Sequence, residues 1–472
     1  MKKTDRDRMP LTPIRSRWQT EGTRTWTRRD FLSAVNAAAV SVGVGGLMGG
    51  CVHSSQKSAR GETRRKQIAL LATEVRIHSH AQHFIDRFLE GYGWQGRWYH
   101  PSTELVALYV DQFPERDLAR ERSRRFGVPI YPTVEETLTR GGSKLAVDGV
   151  VIIGEHGKYP RNEKGQTLYP RYKWFKQVVK VFAESGRAVP VFNDKHLSTN
   201  WRECAEMIAD SKRLGFPFLA GSSLPVTWRI PSVEMPLNTR LTESVCVCYG
   251  GVDSYDFHGF ETAQCMSERR RGGEQGVKSI HALRGEKFWN ELMERRDGQT
   301  TVRLFFSALA RSHTLRVPGG YTVPAVESLP SGSGSFRKPK FDWVRRASPD
   351  AVGYFIEHND GFRTTMILAN GLVQDFTYAG QKQDKGEIIS CQMHLPMPMH
   401  ISTTADFFNP LVNNIERMIN ENRAPYPAER TLLTSGMTLF GVESLHRGQV
   451  PVPTPEMAVA YQPSSGSTFW RA

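Results

Sequence analysis

The chain has 472 residues, which is more than one hydrophobic core usually organises, so two folded domains are the first expectation. Its hydrophobic content of 39% excludes a wholly disordered protein. The formal net charge is +14, but the first fifty residues alone hold nine lysines and arginines against four acidic residues. Since the rest of the chain shows no interleaved basic and aromatic module, we expect no nucleic-acid partner.

The N-terminal segment carries the first motif. Arg28 and Arg29 precede Asp30-Phe31-Leu32, and an uncharged segment follows over residues 33–50. This pattern resembles a twin-arginine export signal, and the uncharged segment is too short and too rich in glycine and alanine to span a bilayer stably. We therefore predict an export signal over 1–50, a tether over 51–65, and a periplasmic or lipid-anchored protein.

Cys51 follows Leu47-Met48-Gly49-Gly50, which loosely resembles a lipoprotein cleavage box. A lipid on Cys51 would be the only link to a membrane. The alternative, an ordinary cysteine near a cleavage point, stays open.

Short apolar runs alternate with amphipathic stretches of helical length after residue 66. The predicted strands are 67–73, 104–111, 147–154 and 189–195, and the predicted helices between them are 82–90, 116–127 and 172–186. Continuous apolar strands separated by helices are typical of a parallel sheet that is covered on both faces. This half therefore predicts a Rossmann-like, doubly wound α/β domain over 66–220.

The second half has a different pattern. Residues 352–378 contain Asp360-Gly361 and Asn370-Gly371 between alternating runs, which predicts two tight hairpins in an antiparallel meander. The glycine- and serine-rich sequence of residues 331–335 predicts a flexible loop. The pattern over 407–427 predicts a helix that ends near its prolines. The expected architecture of 221–472 is an α+β domain with an antiparallel sheet.

A family resemblance is carried by three segments, namely Arg125–Tyr131, the strand over 147–154, and VPVFNDKHL over 189–197. Together they resemble the glucose-fructose oxidoreductase and inositol dehydrogenase family, often called Gfo/Idh/MocA. In that family a lysine after the fifth strand lies where cofactor and substrate meet, and Lys195 matches it. Asp194 stands where glutamate is usual, and His196 stands where proline is usual.

A second resemblance lies in GGVDSYDFHGFE, residues 250–261. His258-Gly-Phe-Glu261 is similar to the His-x-x-Asp part of a family pattern whose histidine exchanges a proton with the substrate hydroxyl. The upstream aspartates, Asp253 and Asp256, are out of register with that pattern. The resemblance implies that Lys195 and His258 are catalytic and that Asp194, His196 and Glu261 contact substrate or surround it.

The resemblance also implies NAD or NADP, although the glycine-rich turn that a dinucleotide requires after the first strand is missing from Leu71 to His80. The expected cofactor contacts are Thr73, Arg76, Asp111 and Glu155. An alternative is a divalent metal held by His156, Asp194 and His196, with His78, His80 and His83 nearby.

Three functions stay open at this point. The first is an exported oxidoreductase that acts on a sugar or polyol hydroxyl with a nicotinamide cofactor. The second is a non-redox carbohydrate lyase, epimerase or hydrolase on the same scaffold, and the third is a sugar-binding protein without chemistry. The partner in each case is a small carbohydrate, and an assembly of identical chains also stays open.

Overall fold

The computed structural model describes residues 64–295, 298–317, 339–384, 386–396 and 404–469. The predicted export signal, nearly all of the predicted tether with Cys51, and the loop predicted at 331–335 lie outside the described residues.

The first half alternates strands and helices. In chain order these are β1 (Lys66–Ala72), α1 (His80–Glu90), β2 (Tyr92–Trp94), β3 (Arg97–Tyr99), β4 (Thr103–Val110), α2 (Ala119–Phe126), β5 (Ile130–Tyr131), α3 (Val134–Thr139), β6 (Gly149–Ile153), α4 (Arg171–Ser185), β7 (Val191–Asp194), α5 (Trp201–Leu214) and β8 (Phe218–Gly221). Six of these strands form a parallel sheet in the order β5-β4-β1-β6-β7-β8. The chain reverses its direction of strand addition at β1, so the carboxyl ends of β1 and β6 border the crevice where such sheets place ligands.

Burial explains why these runs form strands. The apolar residues of β1 from Ile68 to Ala72 are fully buried, as are all five residues of β6, because helices cover both faces of the sheet. Local signals set the helix ends: Ser79 caps the start of α1, and Gly127 ends α2 in the left-handed conformation.

The second half builds a larger sheet. Its elements are β9 (Arg229–Ile230), β10 (Leu241–Cys248), α6 (Tyr255–Ser267), β11 (Val277–Arg284), α7 (Glu286–Glu294), α8 (Gly298–Leu309), α9 (Phe341–Ala347), β12 (Val352–His358), β13 (Arg363–Leu368), β14 (Phe376–Lys382), β15 (Ile388–Met393), α10 (Asn409–Glu421), α11 (Glu429–His446) and β16 (Val452–Pro453). The strand order is β16-β11-β12-β13-β10-β14-β15-β9. Only β10 and β13 are parallel among its pairs within the described ranges.

One of the two predicted hairpins is wrong. The turn at Asp360-Gly361 joins the antiparallel pair β12 and β13, as predicted. The turn at Asn370-Gly371 does not join paired strands, because β10 lies between β13 and β14 and pairs with both. The turn residues indicate only that the chain reverses locally, and the strand that pairs with both β13 and β14 comes from earlier in the chain.

The predicted fold class is confirmed: a Rossmann-like parallel sheet is followed by a mostly antiparallel sheet with helices. Helix α6 lies against β10 and β13, and α11 packs against both α6 and α5. This arrangement brings the start of α6 to the carboxyl ends of the parallel strands. In the described part of the chain, no helix is both long enough and apolar enough to cross a membrane.

Candidate active site

A cavity of about 700 Å³ lies where the parallel strands end. It is bordered by the segments after β1, β6, β7 and β8, by the start of α6, and by residues that flank β14 and β15. Seven of the fourteen histidines of the chain line it: His78, His80, His83, His156, His258, His313 and His394. This concentration of imidazoles, together with Glu155 and Lys195, makes the cavity the candidate active site.

Lys195 enters the cavity from the end of β7. Its backbone φ is +69°, a conformation that a residue with a side chain rarely adopts, and its amide donates to the carbonyl of Gly221 at 3.1 Å. His78 and His156, which also line the cavity, share a positive φ. Local backbone strain at three cavity residues is typical of a functional site.

Lys195 and His258 meet inside the cavity. The ammonium Nζ of Lys195 lies 2.5 Å from Nε2 of His258, which sits in the first turn of α6. Burial and then the charge of Lys195 hold the pKa of His258 well below its usual 6.5. His258 is therefore neutral near pH 7, and its Nε2 lone pair accepts a hydrogen bond from the ammonium. Both side chains are buried, at 7% and 6% exposure.

Glu155 stands beside this pair. One of its oxygens lies 3.9 Å from Nζ of Lys195, and the other accepts a hydrogen bond from Arg171 at 2.6 Å. Although burial opposes ionisation, the charges of Lys195 and Arg171 hold the pKa of Glu155 below its usual range. The carboxylate is thus ionised and lies between two cations.

Arg171 begins α4 and is almost completely buried. It also donates to the carbonyl of Gly154 at 2.8 Å and to Nε2 of His196 at 3.0 Å. Burial and Arg171 lower the pKa of His196 to about 3, so this ring is neutral and can accept that bond. His196 lies outside the cavity lining and acts on the site through Arg171.

His80 and Asp194 form a second pair. Nδ1 of His80, at the first position of α1, lies 2.8 Å from Oδ2 of the fully buried Asp194. A carboxylate that bonds to Nδ1 fixes the orientation of the His80 ring and leaves Nε2 facing away from Asp194, an arrangement found in general bases.

Glu261 lies behind the cavity. It accepts hydrogen bonds from the amide and the hydroxyl of Ser222, and burial raises its pKa to about 7. Gly221 approaches it so closely that a Cβ there would lie 2.2 Å from Oε1 of Glu261. Glu261 therefore shapes the end of β8 and does not line the cavity.

The suggested metal ligands do not converge. His156 lines the cavity, Asp194 faces His80, and His196 accepts from the guanidinium of Arg171. No group of three or more His, Cys, Asp or Glu side chains in the described ranges could hold a metal ion. Asp194 and His196, two of these three candidate ligands, thus bond to other side chains of the chain instead.

Three of the four expected cofactor contacts also lie outside the cavity lining. The hydroxyl of Thr73 donates to the carbonyl of Glu155 at 2.5 Å, and Arg76 pairs with Glu74 at 2.6 Å. Both carboxylate oxygens of Asp111 accept from tyrosine hydroxyls. Because each of these groups already bonds to another residue of its own chain, they do not fit a dinucleotide in the Rossmann position.

Sequence reasoning missed Arg171 and the pairing of His80 with Asp194. Arg171 stands just after the polar loop that follows β6, but nothing in its local sequence shows that it is buried against that strand end. From the sequence, His80 is a candidate only as a neighbour of the possible metal ligands. A strand-end aspartate and a histidine at a helix start are weak signals separately, and only the fold brings them together.

Neither a scan against protein-family models nor a search of curated proteins gives a match. Several solved structures are similar. A myo-inositol dehydrogenase from Lactobacillus casei, solved with NAD(H) and myo-inositol, is 9% identical, with 83% of this chain and 97% of that chain covered and a TM-score of 0.49. An oxidoreductase from Agrobacterium radiobacter, solved with NAD+, L-tartaric acid and magnesium, is 11% identical. The match covers 84% of this chain and 100% of that chain, and the TM-score is 0.46.

A probable dehydrogenase from Thermotoga maritima is also similar. It is 11% identical, the match covers 83% of this chain and 99% of that chain, and the TM-score is 0.47. Inositol dehydrogenases belong to the family that the sequence resembles. At these identities a likeness concerns the fold, so the chemistry of this chain has to be inferred from its own side chains.

Proposed function

We propose that the cavity is the active site of an enzyme that moves a proton on a hydroxylated small molecule of the sugar or polyol class. The observation that carries this proposal is the contact of 2.5 Å between Lys195 and His258 within the cavity. A neutral imidazole and an ammonium in hydrogen-bond contact provide a proton acceptor and a proton donor at one place.

The roles follow from the geometry. The ammonium of Lys195 donates to a substrate oxygen and stabilises negative charge that develops there. The neutral imidazole of His258, next to it, is the proton acceptor. His80, oriented by Asp194, supplies a second base on the same cavity. The ionised carboxylate of Glu155 lies 3.9 Å from Nζ of Lys195 and pairs with it at the edge of the cavity.

The rest of the lining suits a hydroxylated ligand. The side chains of Tyr249, Tyr255, Asp375 and Gln392 supply donors and acceptors for hydroxyl groups, while Phe407 and Phe408 form an apolar wall. Apolar faces with a few converging polar groups bind small molecules and limit the access of water.

Two reactions share this proton step. In the oxidoreductase reaction that the Gfo/Idh/MocA resemblance implies, the hydroxyl becomes a carbonyl, and that reaction also needs a hydride acceptor such as NAD or NADP. In the redox-neutral reaction, the proton that the enzyme removes is returned to the substrate or to a leaving group. The engagement of Thr73, Arg76 and Asp111 by their own chain favours the second reaction.

A panel of monosaccharides, sugar acids, inositols and linear polyols tests the proposal. Each compound is incubated with the purified protein, with and without NAD+ or NADP+, and binding and conversion are followed by NMR. We expect at least one member to bind and to be converted. If none binds, the sugar or polyol class is wrong.

We also propose that the chain is exported by the twin-arginine route. The support is Arg28-Arg29 followed by the uncharged segment over 33–50. Changing both arginines to lysine should leave the precursor in the cytoplasm, since that route reads the arginine pair. Unchanged export of the double variant would refute the assignment.

A lipid on Cys51 is a separate proposal. It is supported by the small residues before Cys51, and it predicts that the mature chain incorporates a labelled fatty acid and that Cys51→Ser does not. Equal labelling of both proteins would place the lipid elsewhere, and absence of label from both would reject the anchor.

A further inference from the structure

A doubly wound sheet with this strand order offers a defined place for a dinucleotide. The pyrophosphate lies at the start of the helix after the first strand, and an acidic residue after the neighbouring strand holds a ribose. In this chain these positions are the turn over residues 73–79 and Asp111.

The backbone amides around the start of α1 already donate hydrogen bonds to side chains. The amide of His78 donates to the side-chain oxygen of Gln82 at 2.6 Å, and the amides of Arg76 and Gln82 donate to the hydroxyl of Ser79 at 3.0 and 3.2 Å. Val75 is fully buried in the same turn. Amides that would face a pyrophosphate therefore have protein acceptors, and the turn lacks the open backbone that glycines provide.

The ribose position is filled in the same way. Asp111 accepts from the hydroxyl of Tyr109 at 2.7 Å and from the hydroxyl of Tyr159 at 2.6 Å. Burial and then the hydrogen bond to Asp111 raise the pKa of Tyr159, so its hydroxyl remains a donor. Tyr159 thus makes the hydroxyl contact that a ribose would make.

Tyr159 belongs to the loop over residues 154–170, which is fixed at several points. Lys158 and Gln112 exchange two hydrogen bonds, one from the Lys158 amide at 2.9 Å and one to its carbonyl at 3.1 Å. Gly157 has φ of +91°, and a Cβ there would lie 3.1 Å from Oε1 of Gln112, so the close approach requires glycine.

The far end of the loop is also held. Arg161 and Thr167 form an isolated β-bridge, and Gln166 donates to Asp253 at 2.8 Å, just before α6. The loop therefore lies across the crevice and is anchored on both sides of it. Its first residues, Glu155 and His156, reach into the catalytic cavity.

We infer that the loop over 154–170 takes the place of a dinucleotide, so that the chain works without NAD or NADP. This inference rests on the proposed function and selects its redox-neutral reaction. The proton that a base in the cavity removes is returned within one turnover. Substrate and product then have the same oxidation state, and no hydride acceptor is required.

The test uses the full mature chain as purified. The protein is denatured and the released small molecules are identified by mass spectrometry, and native protein is titrated with NADH and NADPH by fluorescence. Hydrogen exchange of the loop amides is then compared with and without 1 mM NAD+, a probe concentration of about the weakest usual KM. We expect no stoichiometric nucleotide, no saturable binding, and a Lys158 amide that is equally protected in both samples.

Each other result overturns the inference. A nucleotide released in stoichiometric amount, or saturable binding, shows that a dinucleotide has room. Loop amides that exchange freely without nucleotide show that the loop does not hold the crevice, whether or not NAD+ then protects them.

Removing the hydroxyl of Tyr159 tests whether its hydrogen bond to Asp111 holds the loop in place. Tyr159→Phe should raise the exchange of the Lys158 amide several-fold, whereas Tyr172→Phe, which removes a hydroxyl bonded to Glu206 outside the loop, should not. Equal protection in both variants would contradict a fixing role for the contact between Tyr159 and Asp111. The proposed function fails on a different result, namely unchanged turnover of Lys195 and His258 variants.

Discussion

Replacing Arg171 with methionine removes the charge that holds the end of β6 in place. The guanidinium is 2% exposed and bonds to Gly154, Glu155 and His196 at 2.8, 2.6 and 3.0 Å. Methionine fills much of the same volume, so the main loss is electrostatic. It leaves Glu155 with Lys195 as its remaining close cation in the described structure, at 3.9 Å.

Breaking a buried ion pair on one side costs about 3 to 5 kcal/mol, because the remaining charge stays buried without its partner. Glu155 keeps its attraction to Lys195, which at 3.9 Å and an effective dielectric constant near 20 is about 4 kcal/mol before desolvation. Because Glu155 is not left without any cation, we expect the loss in unfolding free energy at the low end of that range, about 3 kcal/mol. The pKa of Glu155 should rise as well.

Urea unfolding followed by tryptophan fluorescence measures this loss. The matched control is Arg187→Met, which removes a guanidinium that is 47% exposed and bonded to Asp148 at 2.7 Å. Exposed ion pairs contribute about 0 to 1 kcal/mol, so the control should change little. If Arg171→Met costs no more than the control, the account of Arg171 as the fixed support of Glu155 is wrong.

Two further predictions concern pH. The pKa of Glu261 is raised to about 7. The stabilising contribution of Glu261 is therefore complete below its pKa in the unfolded chain, near 4.3, and is lost as pH rises through 7. The unfolding free energy of Glu261→Gln should accordingly increase by about 3 kcal/mol relative to that of the parent protein between pH 4.5 and pH 8, and a difference between the two proteins that does not change with pH would contradict the shift. The pKa of His83 is lowered to about 3 by burial and then by Arg87, so stability is lost as pH falls below about 6.5. His83→Phe, which keeps a ring to stack on Phe408, should reduce the loss between pH 6.5 and pH 5 by about 1.6 kcal/mol, as urea unfolding at the two pH values would measure.

The sequence predicted the parallel sheet well because its strands are continuous apolar runs bounded by polar turns. The segments 67–73 and 147–154 correspond to β1 and β6 within one or two residues. The second sheet was harder, since β10 pairs with β13 and β14 from more than a hundred residues away. Local turn signals at Asn370-Gly371 contain no information about such a partner.

Some residues of the candidate site could likewise be predicted from the sequence, and others could not. Lys195 and His258 could be selected because each stands at a recognisable place, a strand end and a helix start, and the structure brings their side chains into contact. Arg171 could not be selected, because its role depends on three partners that the fold assembles. The position of Tyr159 on Asp111 likewise depends on the path of a loop, which no periodicity predicts.

The pair formed by Lys195 and His258 is the centre of the account, and one comparison tests it most directly. Conversion of the compound found in the panel is measured for the parent protein, Lys195→Met and His258→Ala, with urea unfolding of each. Loss of a positioned acid or base lowers kcat by about 10²- to 10⁴-fold, and we expect this loss in both variants while each remains folded. Conversion by either folded variant at the parent rate would contradict the account.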